Sequence, residues 1–244
     1  MLTLVVPCFN EAQRLRPAEL DAIAAACNLV LVDDGSTDET ARILDQLAGR
    51  HPTAVIALHL AKNSGKGEAV RAGLSHAIEQ GADWVGFFDA DLSTPVDEIL
   101  RLARIALDQP AHVRVILGSR VKLLGKDIQR SAVRHYLGRV FATGASLVLD
   151  LPVYDTQCGA KIFRVDDVLQ GALARPFTTR WIFDVELLQR LCETLLARGE
   201  APEHAMVEVP LQKWTNVRGS KLGIPAMAQA AWHLVRLRLA RRPR

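Results

Sequence analysis

The sequence predicts an α/β fold with a doubly wound, mostly parallel sheet and an amphipathic helix at the C-terminal end. Three observations carry this. Short β-rich runs alternate with helical stretches through the first half, the runs are continuously apolar, and polar, small or acidic residues follow the first four of them. Continuous apolar runs are what a parallel sheet covered on both faces requires. Repeated βα units imply right-handed crossovers, hence helices against both faces.

The expected strands are Leu2–Val6, Leu29–Val32, Ala54–Leu58, Trp84–Phe88 and Arg114–Leu117. Helices lie between them. Ser36 followed by Glu39 reads as a capping box, and Thr94-Pro95 as an N-cap with proline at the first helical position. After Arg120 the rhythm changes. A long helix is expected over Gln129–Leu149, a loop over Pro152–Gly159, a strand at Ala160–Phe163 and a helix at Phe183–Arg198. A strand at Met206–Pro210, a polar loop through Ser220 and a last helix from Pro225 complete the chain. Without repeats or linkers, the simplest reading is one domain, 1–222, with a basic amphipathic helical tail, 223–244.

Composition bounds the function. With 244 residues, 49% hydrophobic and 23% charged, the chain can bury one sizeable core and is not a disordered one. A net charge of +3 is too small to argue for nucleic acid, and the basic excess is local. Five arginines (Arg236, Arg238, Arg241, Arg242, Arg244) and no acid lie between Pro225 and Arg244. The four cysteines are scattered without a CxxC pair, which fits a reducing compartment. No signal peptide and no apolar stretch of about 18 residues is visible, so the expectation is a cytoplasmic protein, soluble or peripheral to a membrane.

Ligands of parallel α/β sheets bind at the carboxyl ends of the strands. Four clusters stand there: Pro7-Cys8-Phe9-Asn10-Glu11, Asp33-Asp34-Gly35-Ser36-Thr37-Asp38, Asn63-Ser64-Gly65-Lys66-Gly67 and Asp89-Ala90-Asp91. Any one could be ordinary turn chemistry. Four in succession on one edge describe a site. Gly65-Lys66-Gly67 lacks both the dinucleotide fingerprint and the P-loop pattern, which disfavours hydride transfer and P-loop hydrolysis. Asp89 and Asp91 follow an apolar strand, where two uncompensated carboxylates would be costly. Mg²⁺ or Mn²⁺ accounts for the pair, because such ions take oxygen ligands and neutralise a departing diphosphate.

These residues resemble the family 2 inverting glycosyltransferases of the GT-A fold. Val5-Val6-Pro7-x-x-Asn10-Glu11, Val32-Asp33-Asp34-Gly35-Ser36-x-Asp38 and Asp89-x-Asp91 carry the likeness. Asn63-x-Gly65-Lys66-Gly67 and Gly118-Ser119-Arg120 narrow it to the polyprenyl-phosphate sugar synthases. Asp155-Thr156-Gln157-Cys158-Gly159-Ala160-Lys161, Arg180-Trp181-x-Phe183-Asp184-Val185-Glu186 and Gly219-Ser220-Lys221 are similar to the dolichyl-phosphate β-glucosyltransferases.

The resemblance implies that Pro7, Asn10, Glu11, Asp33 and Asp34 hold base and ribose, with Lys66, Asp89 and Gln157 lining the donor pocket. Asp91 would be the main metal ligand, and Asp89 a ligand directly or through water. Ser93 stands where related mannosyl enzymes carry a Gln, so water would replace a third protein ligand. Arg120, Arg130, Arg134 and Lys221 would bind the acceptor phosphate, with Asp91, Arg120, Asp184 and Lys221 as the catalytic set. Arg130 and Arg134 could equally form a solvated helix face. Asp184 and Glu186 lie where enzymes acting on sugar hydroxyls carry a base, and here would orient the donor or pair with cations. Cys158 reads as a packed residue rather than a nucleophile. The implied donor is UDP-glucose or, alternatively, GDP-mannose, the implied acceptor is a polyprenyl phosphate, and the tail is a peripheral membrane contact. A processive polysaccharide synthase is disfavoured because Phe177 stands where its Gln-x-x-Arg-Trp motif needs Gln. The rival from another class is a non-catalytic nucleotide-sugar binding protein.

Overall fold

In the computed structural model, residues 1–129, 132–179, 182–215, 217 and 232–239 are described, and of 132–137 only the backbone. Seven strands form one sheet: β1 (Leu2–Cys8), β2 (Asn28–Asp33), β3 (Val55–His59), β4 (Trp84–Phe88), β5 (Val115–Ser119), β7 (Ala160–Arg164) and β8 (Met206–Pro210). Their order is β3-β2-β1-β4-β7-β5-β8. The neighbours are parallel except β7, which runs antiparallel between β4 and β5. A parallel pair, β6 (Asp127–Gln129) and β9 (Lys213–Thr215), lies apart.

The continuous apolar strands are explained by two cores. Val5, Val32, Val85 and Phe87 face one side with α3 (Lys66–Glu79), α5 (Ala132–Leu149), α6 (Asp167–Leu173) and α7 (Phe183–Ala197). Leu4, Val6, Leu31 and Phe88 face the other with α1 (Pro17–Ala24), α2 (Thr40–Arg50) and α4 (Val96–Leu107). Neighbouring residues on a strand point to opposite faces, so both must be apolar. A one-turn helix, α8 (Pro202–Ala205), leads into β8. A last helix, α9 (232–239), packs with Leu234 and Leu237 buried in the first core. Gln189 Nε2 donates to the Leu237 carbonyl at 3.2 Å, and Arg238 to the Leu147 carbonyl at 3.2 Å.

Two helix starts differ from expectation. Ser36 does not cap α2, because its hydroxyl accepts from the Asn10 amide at 3.0 Å. Asp38 leads that helix instead, its Oδ1 accepting from the Thr40 amide at 3.0 Å. Pro95 occupies the N-cap of α4 and not its first helical position. The long helix begins at Ala132, because Asp127–Gln129 are drawn into β6 by β9.

Candidate active site

The parallel strands β1 to β4 end at one edge of the sheet, and their clusters interlock. The Asn10 side-chain oxygen accepts from the Thr37 amide at 2.9 Å, and the Glu11 amide donates to Thr40 Oγ1 at 2.8 Å. Asn10 has φ +52°, a left-handed conformation that asparagine tolerates better than most residues. Pro7 precedes this turn in β1, opposite Val32. Asp33 is buried; its Oδ1 accepts from the Ser36 amide at 3.0 Å, and its Oδ2 lies 3.4 Å from His59 Nδ1. The other His59 nitrogen meets Asp45 at 2.8 Å, and chiefly that bond raises the imidazole pKa above its ordinary value. Asp34, also buried, accepts from the amides of Ser64 and Gly65 at 2.7 and 2.9 Å. It therefore shapes the glycine loop that opens α3.

That loop delivers Lys66 to the next cluster. Its Nζ donates to Asp89 Oδ1 and lies 5.9 Å from the centre of the Phe183 ring. Desolvation disfavours the ammonium, but Asp89, then Asp184 and Asp91, outweigh it and raise the lysine pKa. Asp91 is braced by Ser93, whose amide and hydroxyl donate to Oδ1 at 3.0 and 2.8 Å. Its Oδ2 faces no donor among the described residues.

Strand β7 supplies the far wall. Because it runs antiparallel, its start meets the end of β4, with Ala160 opposite Phe88. The turn 155–159 is thereby carried against Asp89. A Cβ on Gly159 would come within 2.1 Å of Asp89 Oδ2, so only glycine lets the carboxylate lie there. Arg120, following β5, forms a two-pronged pair with Asp155: Nε to Oδ2 at 2.7 Å and Nη2 to Oδ1 at 2.8 Å. Its guanidinium carbon is 5.4 Å from the Trp214 ring centre. Burial works against the Asp155 charge, yet the guanidinium holds that carboxyl far below the usual carboxylate range. Gln157 is half-buried, and its amide donates to Asp155 at 3.2 Å.

Asp184 is not open to solvent. It pairs with Lys161 at 2.7 Å, and that lysine also donates to the Cys158 carbonyl at 2.6 Å. Glu186 accepts from the amides and hydroxyls of Thr178 and Thr179 and from Arg190, so it fastens a loop and does not face the site. The Cys158 thiol is buried, which pushes its pKa up to about 12 and leaves it unreactive. None of the four cysteines forms a disulfide. Lys221, Arg130, Arg180 and Trp181 lie outside the described residues, as does the side chain of Arg134.

Of the residues singled out from sequence, Asn10, Glu11, Asp33 and Asp34 form one half of the edge. Lys66, Asp89, Asp91, Gln157 and Arg120 form the other. Lys161, Gly159 and Asp155 stood inside a quoted motif without an assigned role. Glu208 carried no signal at all, yet its carboxylate accepts from the amides of Tyr154 and Asp155 at 2.8 and 2.7 Å and so sets the 155–159 turn.

The sequence matches the glycosyl transferase family 2 model over residues 3–170, which includes every cluster of this edge except the Asp184 pair. The chain belongs to glycosyl transferase family 2. A dolichyl-phosphate beta-glucosyltransferase of Trichomonas vaginalis is 31% identical, the match covering 96% of this chain and 70% of that protein. The human dolichyl-phosphate beta-glucosyltransferase is 30% identical over 91% of this chain and 69% of its own. Among solved structures, glucosyl-3-phosphoglycerate synthase of Mycobacterium tuberculosis, in complex with Mn²⁺, UDP and phosphoglyceric acid, superposes with a TM-score of 0.71. That match is 17% identical and covers 100% of this chain and 80% of the other, a likeness of fold. This family 2 glycosyltransferase thus has the GT-A architecture.

Proposed function

We propose that the enzyme transfers a hexose, glucose from UDP-glucose in the first instance, to a polyprenyl or dolichyl phosphate with inversion at the anomeric carbon. The observation that carries this is the state of Asp184. The carboxylate that by resemblance stands where enzymes acting on sugar hydroxyls carry their base is locked to Lys161 inside the protein. An acceptor hydroxyl would need that base. A lipid monophosphate does not, since its second pKa of about 6 leaves it largely anionic at neutral pH. The names of the curated relatives support the same acceptor.

In this reading Asp33 and Asp34, with Pro7, Asn10 and Glu11, receive the nucleoside, and ribose hydroxyls and base N–H groups donate to the carboxylates. Lys66 and Gln157 line the diphosphate and sugar. The donor set at Asp89 and Asp91 fits a divalent cation: it is all oxygen, half-exposed, and keeps Asp91 Oδ2 available. Mg²⁺ or Mn²⁺ bound there would neutralise charge on the leaving nucleotide. Lys66 already occupies Asp89 Oδ1, which supports Asp91 as the principal ligand. Arg120 places a cation beside Asp89, where a second anion must approach; Asp155 takes its Nε edge, so a phosphate would meet the Nη1 side. The sequence adds Arg130, Arg134 and Lys221 as further cations expected to meet the acceptor phosphate. The basic 223–244 segment is assigned to the cytoplasmic face of the membrane, with the outer side of the 232–239 helix at the interface.

The test is incubation with polyprenyl phosphate, Mg²⁺ or Mn²⁺, and a panel of nucleotide-sugars including UDP-glucose and GDP-mannose. The expected product is a β-glucosyl phospholipid formed from UDP-glucose. Asp91→Ala should lower its formation at least about 100-fold, as loss of a transition-state charge stabiliser does, with an unchanged circular dichroism spectrum. Unaltered transfer by that variant would sink the metal assignment, and a labelled mannolipid would redirect the donor.

A further inference from the structure

The connector between β5 and β6 ends in an apolar tip that the fold cannot bury. Val121-Lys122-Leu123-Leu124-Gly125-Lys126 leaves the sheet directly after Arg120. Leu124 is wholly exposed, at 102% of its reference area, and Leu123 is 48% exposed. The tip is a defined turn. The Lys126 amide donates to the Leu123 carbonyl at 3.2 Å, and Gly125, at the third position, has φ +78°. A positive φ at that position is what a type II turn demands, and glycine supplies it without strain.

The base of the turn is sewn down. The Asp127 amide donates to the Gln212 carbonyl at 2.8 Å, Ile128 is buried, and β6 pairs with β9 through Trp214. With that base held, Leu124 stands clear of the protein and Leu123 is half covered. Lysines stand on both sides of them, and among the described residues neither Lys122 nor Lys126 has a carboxylate partner. The adjoining acid, Asp127, accepts from the Gln129 side chain at 3.2 Å.

We propose that this turn is a membrane-insertion element, with Leu123 and Leu124 entering the acyl boundary of an anionic bilayer. Lys122 and Lys126 have long apolar stems that can cross the interface while their ammonium groups meet lipid phosphates. A hydrophobic tip between cations fits that surface better than a protein partner, which would have to supply both an apolar socket and flanking acids. The insertion has a positional consequence. The turn begins three residues beyond Arg120, and Trp214 of the anchoring ladder packs on the Arg120 guanidinium. Docking the turn would hold that cation at a constant height above the lipid headgroups.

An environment-sensitive nitrobenzoxadiazole probe on Leu124→Cys tests this in a Cys27→Ser background, the other three cysteines being buried. The control is Leu107→Cys, exposed at the end of α4 distal to the site. With phosphatidylglycerol-containing vesicles free of polyprenyl phosphate, the Leu124 probe should shift to the blue and brighten, while the control stays unchanged. Leu124→Asp in the otherwise native chain should lower vesicle partition roughly tenfold, the factor expected for losing one inserted leucine. A probe that stays water-exposed while the protein pellets with vesicles would overturn the proposal, as would the absence of any pelleting. An activity arm rests on the acceptor reading above. Leu124→Asp should spare transfer to a short, water-soluble polyprenyl phosphate and reduce transfer to a long one embedded in vesicles. Failure of transfer to both acceptors by the native enzyme, with the probe still shifting, would refute that acceptor reading and leave the insertion standing.

Discussion

Arg120 and Asp155 are each almost enclosed, with side-chain exposures of 14% and 9%, so their pairing is obligatory for both. Removing one partner of such a pair strands the other charge. Asp155→Asn should therefore destabilise the protein by about 3 kcal/mol, read from urea unfolding at pH 7. The pH dependence follows from the direction of the shift. The folded-state pKa of Asp155 lies below its unfolded value, so its contribution is present above about pH 4 and drains away as pH falls toward the folded pKa. The difference in melting temperature between wild type and Asp155→Asn should narrow below about pH 4, and a constant difference down to pH 3 would refute the pairing as its source. Gly159 shows another constraint at this scale. In sequence it reads as one more loop glycine, and only the packed Asp89 carboxylate reveals that a methyl group there has no room.

Elements decide which of these residues meet. The apolar run at Ala160–Phe163 signals a strand but says nothing of its neighbours. Its antiparallel insertion between β4 and β5 is what places the 155–159 turn and Lys161 beside the strand-end clusters. The short β6–β9 ladder was invisible for a related reason: three-residue strands have too little periodicity, and their pairing spans more than 80 residues of chain. Ser36 and Glu39 match a capping box by spacing, yet a tertiary bond from Asn10 claims the Ser36 hydroxyl. Glu186 extends the same lesson to α7. From its position it could orient a donor, but in the fold it gathers Thr178, Thr179 and Arg190 onto one buried carboxylate. Glu186→Ala should leave those donors unpartnered, cost about 2–4 kcal/mol, and raise amide hydrogen exchange at Thr178 and Thr179. Unchanged exchange there would show that the clamp is dispensable.

At the scale of the molecule, no helix among the described residues is long and apolar enough to cross a membrane. What the assembly offers instead is a helix with two apolar sides. In α9, Leu234 and Leu237 are buried against α5 and α7, while Trp232, Val235 and Leu239 project outward beside Arg236 and Arg238. Packing and interfacial binding are thus compatible, each using its own face. Deleting the segment would also remove core residues, so substitution of the outer face is the sound test. Trp232→Ser, Val235→Ser and Leu239→Ser together should leave the melting temperature within about 2 °C and lower pelleting with anionic liposomes at least about tenfold. Equal pelleting would exclude a membrane role for the helix. Residue order alone was enough for the sheet class, the four strand-end clusters and the sugar-transfer chemistry. Apolar periodicity and the chemistry of neighbours in the chain are local properties, written directly into the sequence. Only folding decided that Asp184 is neutralised by Lys161, that Glu208 sets the Asp155 turn and that Leu124 has nowhere to hide. Each depends on groups distant in the chain, and burial and pairing arise only once the sheet order has brought them together.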